Sequence, residues 1–455
     1  MVAYLSVPCC STCIYKVCIL EDDFVKYVVC SKCNEPYTLS EAEECRTCTF
    51  IKYPNHAQRK LCGEKLLKEV VLQDGSKRHY PIKLYCYRSV MKTLQNLLDR
   101  PGFKQRCEDW RQRTSIPGTL RDIYDGRVWK SFMTHAGRPF LEMPKRYALQ
   151  LNVDWFQPYK HSPYSSRGIY LSLMNLPRSE RLKKENVITA GVIPGPDEHS
   201  LSINTYLRPL VDELNDLWKN GFKYKARDDD KTEEYYVALI CCSCDVPATR
   251  KIGGFLGHTA KAGCSKRTTK NHEHRSIAEE IRQQDNMTAK QKLESKHGVR
   301  YTELLRLPYF NAISSFVVDP MHNLFQGTAK YMFKTIWKDK LTGQDLQEIQ
   351  DMVDNVTVPA SFGRILSSFT SEQWKNWTLH FSPIALKGHL PKKDFDCWLL
   401  FVEACRLLCV SSITIQDLRK GHEKIVEFCR TFESIYGSAM VTPNMHLHIH
   451  LVDCI

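Results

Sequence analysis

The stretch YALQLNVDWF, residues 147–156, decides how the rest of the chain is read. Its β-prone residues alternate apolar with polar and predict a strand that ends close to Asp154. SRGIYLSLMNLP (166–177) predicts a second strand, and ENVITAGVIPGP (185–196) a third, closed by Pro194-Gly195-Pro196. A helix follows, because Leu207, Leu210, Val211, Leu214, Leu217 and Trp218 form one apolar stripe. Pro209 is acceptable there only near the first turn. EYYVALICCSCD (234–245) predicts a fourth strand and ends on Asp245. Three sequential strands with short turns make an antiparallel meander, and the helix lets the fourth strand join in parallel.

This β-β-β-α-β order is that of an RNase H-like core. There the first and fourth strands lie side by side, which would bring Asp154 and Asp245 together. An isolated Asp at a strand end ordinarily caps a turn. A second Asp at the matching point of the neighbouring strand tips the reading toward a shared site. Paired carboxylates can hold divalent cations suited to phosphodiester chemistry. FVVDPMHNLF (316–325) adds Asp319 and His322, the latter at a helix start after Pro320. A lone His is ordinarily a satisfied core residue; its spacing from Asp319 favours a site role, with Asp319 ordering the ring by a hydrogen bond.

The chain has 455 residues, enough for two or three domains. Hydrophobic residues make up 43% and charged residues 25%, values of a globular chain without membrane spans. The net charge of +13 favours a polyanionic partner such as DNA, although it is not gathered in one tail. The first twenty residues lack a basic start and a small-residue cleavage site, so no signal peptide is expected.

Among the 20 cysteines, Cys30-x2-Cys33 and Cys45-x2-Cys48 form two knuckles, with His56 and Cys62 following. Zinc takes four N or S ligands in a tetrahedron, and paired thiolates on tight turns supply them. Residues 1–80 are therefore expected to be a zinc-binding module. Cys30, Cys33 and Cys48 lead the ligand set, with Cys45 or Cys62 as the fourth ligand and His56 as the outside candidate. Cys9, Cys10, Cys13 and Cys18 have no metal-type spacing.

Residues 81–146 are expected to be a basic helical segment, either in contact with DNA or an ordinary solvated helix with an apolar face. In LYCYRSVMKTLQNLLDR (84–100), Tyr87, Val90, Met91, Leu94, Leu97 and Leu98 fall on one helical face. Lys104, Arg106, Arg111 and Arg113 then surround Phe103 and Trp110. The core is expected over 147–322, with a polar surface connection at 261–300. Residues 323–455 are expected to be a mostly helical insertion. In it, Thr414 caps a helix with Asp417 three residues on. HLHIH (446–450) alternates like an edge strand, with three histidines on one face.

LRDIYDGRVW (120–129), LNVDWFQPYKHSPYS (151–165), NLPRSERLKKENVITAGVIPGP (175–196), CDVPATRKIGGFLGH (244–258) and VVDPMHNLFQGTAKYM (317–332) are long, ordered motifs. Together they resemble the transposases of CACTA (En/Spm-type, tnp2-like) DNA transposons in their fungal form. The resemblance runs from the N-terminal CxxC to TPNMHLHIHL (442–451). It implies an RNase H-like fold, a DDE/D triad with Mg²⁺ or Mn²⁺, cutting at transposon ends and joining to target DNA in the nucleus. It also leaves self-association open. Asp154 is similar to the first acid of that family, Asp245 to the second, and Asp319 with His322 to its D-x2-H motif.

Two departures stand against the family pattern. The last acid would follow TPNMH beyond Ile455, and Arg267 stands where a second cysteine is usual. Both imply a C-terminally truncated copy with impaired cleavage. Three classes of function follow: a DDE transposase, a non-catalytic DNA-binding remnant, and a zinc-stabilised interaction protein.

Overall fold

The computed structural model describes residues 23–135, 137–156, 165–195, 203–227, 229–257, 264, 266, 270–357 and 370–454. Cys9, Cys10, Cys13, Cys18 and Arg267 lie outside these. The chain forms two compact units: Val2–Arg113 with Phe132–Phe316, and Thr114–Ser131 with Val317–Ile455.

The first unit is built on a mixed sheet. Its strands are β1 (Phe24–Val29), β2 (Pro36–Tyr37), β3 (Leu84–Arg88), β4 (Arg146–Phe156), β5 (Ser166–Leu173), β6 (Val187–Ile193), β7 (Phe222–Tyr224) and β8 (Glu233–Cys244). Across the sheet they run β7-β8-β4-β5-β6-β3-β1-β2. β4, β5 and β6 form an antiparallel meander, and β8 adds parallel to β4. Helix α3 (Ile203–Lys219) makes the crossover between β6 and the β7–β8 hairpin. A parallel strand needs such a crossover, and a helix provides its length.

Alternation places Tyr147, Leu149, Leu151 and Val153 of β4 in the core, at 1% exposure or less. β8 is a central strand, and Tyr235, Val237, Ala238, Leu239 and Cys242 are all fully buried on its two faces. The α3 stripe expected from the sequence is buried from Leu207 to Trp218. Pro209 stands inside this helix, beyond its first turn.

Two segments differ from their expected form. Leu84–Arg88 is a strand, antiparallel to both β1 and β6. Helix α2 (Val90–Leu98) begins only after Ser89, whose side chain accepts from Lys92 N. A strand and a helix joined by a single capping serine leave the apolar residues at apparently continuous helical spacing. The polar 261–300 stretch carries two helices, α5 (Asn271–Arg282) and α6 (Met287–His297). Asn286 caps α6 through Ala289 N at 2.8 Å, and Gly298 ends it in the left-handed region. His274 of α5 is fully buried, 5.6 Å from the Phe255 ring.

The second unit is mainly helical. α8 (Lys392–Leu408) packs along α9 (Ile415–Tyr436), preceded by α7 (Gly343–Asn355) and followed by α10 (Pro443–His448). Trp337, Trp374, Trp377, Trp398, Phe401, Phe428 and Phe432 fill its core. Thr414 caps α9 by accepting from Asp417 N at 3.0 Å. Thr119–Leu120 pairs antiparallel with Ile413–Thr414, which ties Thr114–Ser131 to this unit. HLHIH does not form a strand: Pro443 starts a helix behind the Thr442 cap, so His448 turns into the core while His446 stays exposed. No helix among the described residues is long and apolar enough to cross a membrane.

Candidate functional site

Asp154 lies two residues before the end of β4, and Asp245 directly follows β8, its parallel neighbour. The β4–β8 ladder closes with Leu151 opposite Cys242, and each acid stands three residues beyond that pair. Side-chain contacts continue the pairing past the ladder. Asn152 Nδ2 donates to Ser243 O at 2.6 Å, and Val153 N approaches Cys244 Sγ at 3.2 Å; both pairs are 91 residues apart in sequence, as are the two acids. Both acids are half-buried. Asp245 has extended backbone and caps helix α4 (Val246–Gly253), one carboxylate oxygen accepting from Ala248 N at 2.7 Å.

Trp155, next to Asp154, collects cations. The Arg167 guanidinium lies 4.9 Å from its ring centre and the Lys251 ammonium 4.7 Å. Arg167 faces Trp155 across the β4–β5 ladder, and Lys251 comes from the helix that Asp245 caps. The indole thus holds two cations near the end of β4, Arg167 buried at 3% exposure and Lys251 half-buried. The sequence reading missed this group, since its members come from three separate elements.

Asp319 and His322 belong to the helical unit. Asp319 hydrogen-bonds His322 Nδ1 with one oxygen and accepts from Met321 N at 3.0 Å with the other. It thereby orients the ring and opens the helical segment Met321–Ala329. Asn323 of that segment donates to Asn444 O at 2.9 Å, so the DPMHN and TPNMH motifs meet in space. A side chain at Gly327 would strike Asn444, its Cβ falling 2.3 Å from Nδ2.

Near the N-terminus, the sulfurs of Cys30, Cys33, Cys48 and Cys62 all lie within 4.8 Å of one another. Cys30 and Cys62 are 3.7 Å apart, and Cys33 and Cys48 3.3 Å. Four thiolates about 2.3 Å from one zinc ion in a tetrahedron stand about 3.7 Å apart. The four-cysteine cluster is therefore compatible with structural zinc. Cys30 and Cys33 sit on a turn completed by Asn34 in the left-handed region, with Cys33 N directed at Cys30 Sγ at 3.5 Å. Cys48 and Cys62 come from facing segments, held by Cys48 N to Glu64 O at 2.8 Å and Cys62 N to Phe50 O at 2.9 Å. Tyr37 Oη lies 3.2 Å from Cys48 Sγ.

Of the two fourth-ligand candidates, Cys62 joins the cluster and Cys45 does not. Cys45 is the last residue of helix α1 (Leu39–Cys45) and packs on the small core beside it. His56 is exposed, its Nδ1 accepting from Gln58 N at 3.1 Å. Most described cysteines are free thiols; Cys86 is disulfide-bonded.

A comparison with curated proteins returns no match. Residues 117–305, less than half of the 455-residue chain, match the family model described as "Transposase family tnp2", and this match supports a transposase relationship for the chain.

Proposed function

We propose that this chain acts on DNA as a transposase of the CACTA type, cleaving strands at element ends and transferring them to target DNA. Asp154 and Asp245 are its paired metal-binding acids on an RNase H-like core. The observation that carries the reading is the parallel register of β4 and β8, whose ladder closes three residues before each acid. The family match over 117–305 spans both acids. Divalent magnesium or manganese, held by such carboxylates, would activate a water or 3′ hydroxyl and stabilise the leaving oxygen.

The residues themselves do the following. Asp154 offers oxygens from the strand end. Asp245 commits one oxygen to the start of α4 and keeps the other for a cation, a tether that limits its rotation. Lys251, half-buried on the face of Trp155, offsets the charge of an incoming phosphate backbone, while the buried Arg167 holds the indole in place. Asp319 orients His322 within its own unit, and the pair contributes a fixed imidazole. The four-cysteine cluster is a structural zinc site and not part of the chemistry. Work on chromosomal DNA would take place in the nucleus.

The test is incubation of the purified full chain with Mg²⁺ or Mn²⁺ and DNA carrying the element's own ends. Cleavage that Asp154→Ala and Asp245→Ala each reduce to background is the expected result. Cleavage that survives both changes would overturn the assignment of the acids. Salt-sensitive binding without cleavage would instead favour a DNA-binding protein without catalysis.

A further inference from the structure

Asp154 faces Gly168 directly across the antiparallel β4–β5 ladder. The space where a side chain at 168 would stand is occupied by another residue. A Cβ placed on Gly168 would fall 2.1 Å from Tyr170 Cζ and 2.2 Å from its hydroxyl oxygen. Tyr170 is two residues along β5, so its side chain leaves the same face of the sheet. Its ring is laid back along the strand over the glycine. The hydroxyl therefore occupies the position that faces Asp154.

Distance decides what this hydroxyl can reach. Facing Cβ positions in an antiparallel pair stand about 4.5–5.5 Å apart. A carboxylate plus one O–H···O bond of about 2.5–3.0 Å spans that gap. Tyr170 itself faces Asn152 across the ladder, and Asn152 donates to Ser243 O at 2.6 Å on the far strand. Asp154 and Tyr170 are both half-buried, so the phenol is neither lost in the core nor free in solvent.

We propose that Tyr170 is a positioning residue for the acid pair, its phenol O–H donating to one carboxylate oxygen of Asp154 and turning the other toward a divalent cation. The inference rests on the reading of Asp154 as a cation ligand. It gives Gly168 a defined task, since any larger residue there pushes the phenol off the acid. The competing explanation is purely structural: an aromatic ring covering a strand glycine stabilises the sheet. That role needs the ring and not the hydroxyl, so the two explanations part at Tyr170→Phe.

The experiment is a titration of the full chain with Mn²⁺ alone, followed by electron paramagnetic resonance, with a thermal melt of each variant. Wild type should bind Mn²⁺, and Asp154→Asn should abolish that binding. Tyr170→Phe should melt like wild type yet bind Mn²⁺ about 10- to 100-fold more weakly, the usual loss for an outer-shell partner of a metal ligand. Gly168→Ala should weaken binding at least as much. Wild-type Mn²⁺ affinity in Tyr170→Phe, with Asp154→Asn still defective, would overturn the role of Tyr170 and leave the acid pair standing. Mn²⁺ binding insensitive to Asp154→Asn would overturn the acid pair and this inference with it.

Discussion

At the scale of single residues, two neighbouring cysteines separate geometry from spacing. Cys45 and Cys62 are equally good fourth ligands on paper, yet only the Cys62 sulfur enters the cluster with Cys30, Cys33 and Cys48. Zinc measured in purified protein should therefore survive Cys45→Ser and be lost in Cys62→Ser or Cys33→Ser. Retention of metal in Cys62→Ser would show a different ligand set. The sequence could not make this choice, because CxxC spacing does not say that Cys45 ends a helix. His448 gives a second prediction. Its imidazole is fully buried, with Nε2 3.0 Å from Thr328 Oγ1, and burial pushes its pKa down to about 3. The unfolded chain takes up that proton near the ordinary value of about 6.5, while the folded one resists it. The stabilising contribution is thus complete above about pH 6.5 and drains away as pH falls toward about 3. Melting temperatures of wild type should fall through this window more steeply than those of His448→Gln, provided the latter folds; parallel curves would remove His448 as the cause.

At the scale of elements, Glu213 fastens the N-terminal strands to helix α3. Its carboxylate accepts from Ser89 Oγ at 2.5 Å and from Val90 N and Met91 N at 2.9 Å each, and it also binds the Tyr87 hydroxyl. One charged acceptor thereby satisfies the first free N–H groups of α2 and the strand end before it. Glu213→Ala should destabilise the protein by about 2–4 kcal/mol, since several partners lose a charged acceptor together. Glu213→Gln, which keeps one oxygen, should lose less; denaturant melts of the two variants would show the order, and equal losses would mean that the packing of α3 matters more than the bonds. The same junction shows where element reading stops. β4, β5, β6, α3 and β8 were legible because each has a long run at one period. β3 was not, because Ser89 splices its period-2 run onto the period-3.6 run of α2 without a break. α6 was missed for another reason: MTAKQKLESKH has almost no apolar face, and only Asn286 and Gly298 mark its ends. Capping chemistry carried the information there, and apolar periodicity did not.

At the scale of the whole molecule, sequence order and spatial grouping diverge. Thr114–Ser131 belongs with Val317–Ile455, although nearly two hundred residues of the sheet unit lie between them. The tie is the two-residue pairing of Thr119–Leu120 with Ile413–Thr414, together with the bond from Ile415 N to Gly118 O at 2.9 Å. No composition shift announces such a tie, since it depends on a contact between distant short segments. Charge, by contrast, was fully legible and leads to the last prediction. A net charge of +13 attracts phosphate backbones whatever their sequence. Binding of a non-cognate duplex should therefore weaken linearly in log affinity against log salt, by about 10³- to 10⁵-fold between roughly 50 and 200 mM if six to ten phosphates are engaged. Asp154→Ala and Asp245→Ala each remove one negative charge, so they should leave this slope unchanged and bind the duplex as well as wild type or slightly better. Lys251→Gln, which removes the accessible cation on Trp155, should lower the slope by about one counterion, whereas the buried Arg167 should not contribute to it. Fluorescence anisotropy across a salt series separates these terms. A flat salt response in wild type would mean that the positive charge serves some other purpose than holding DNA.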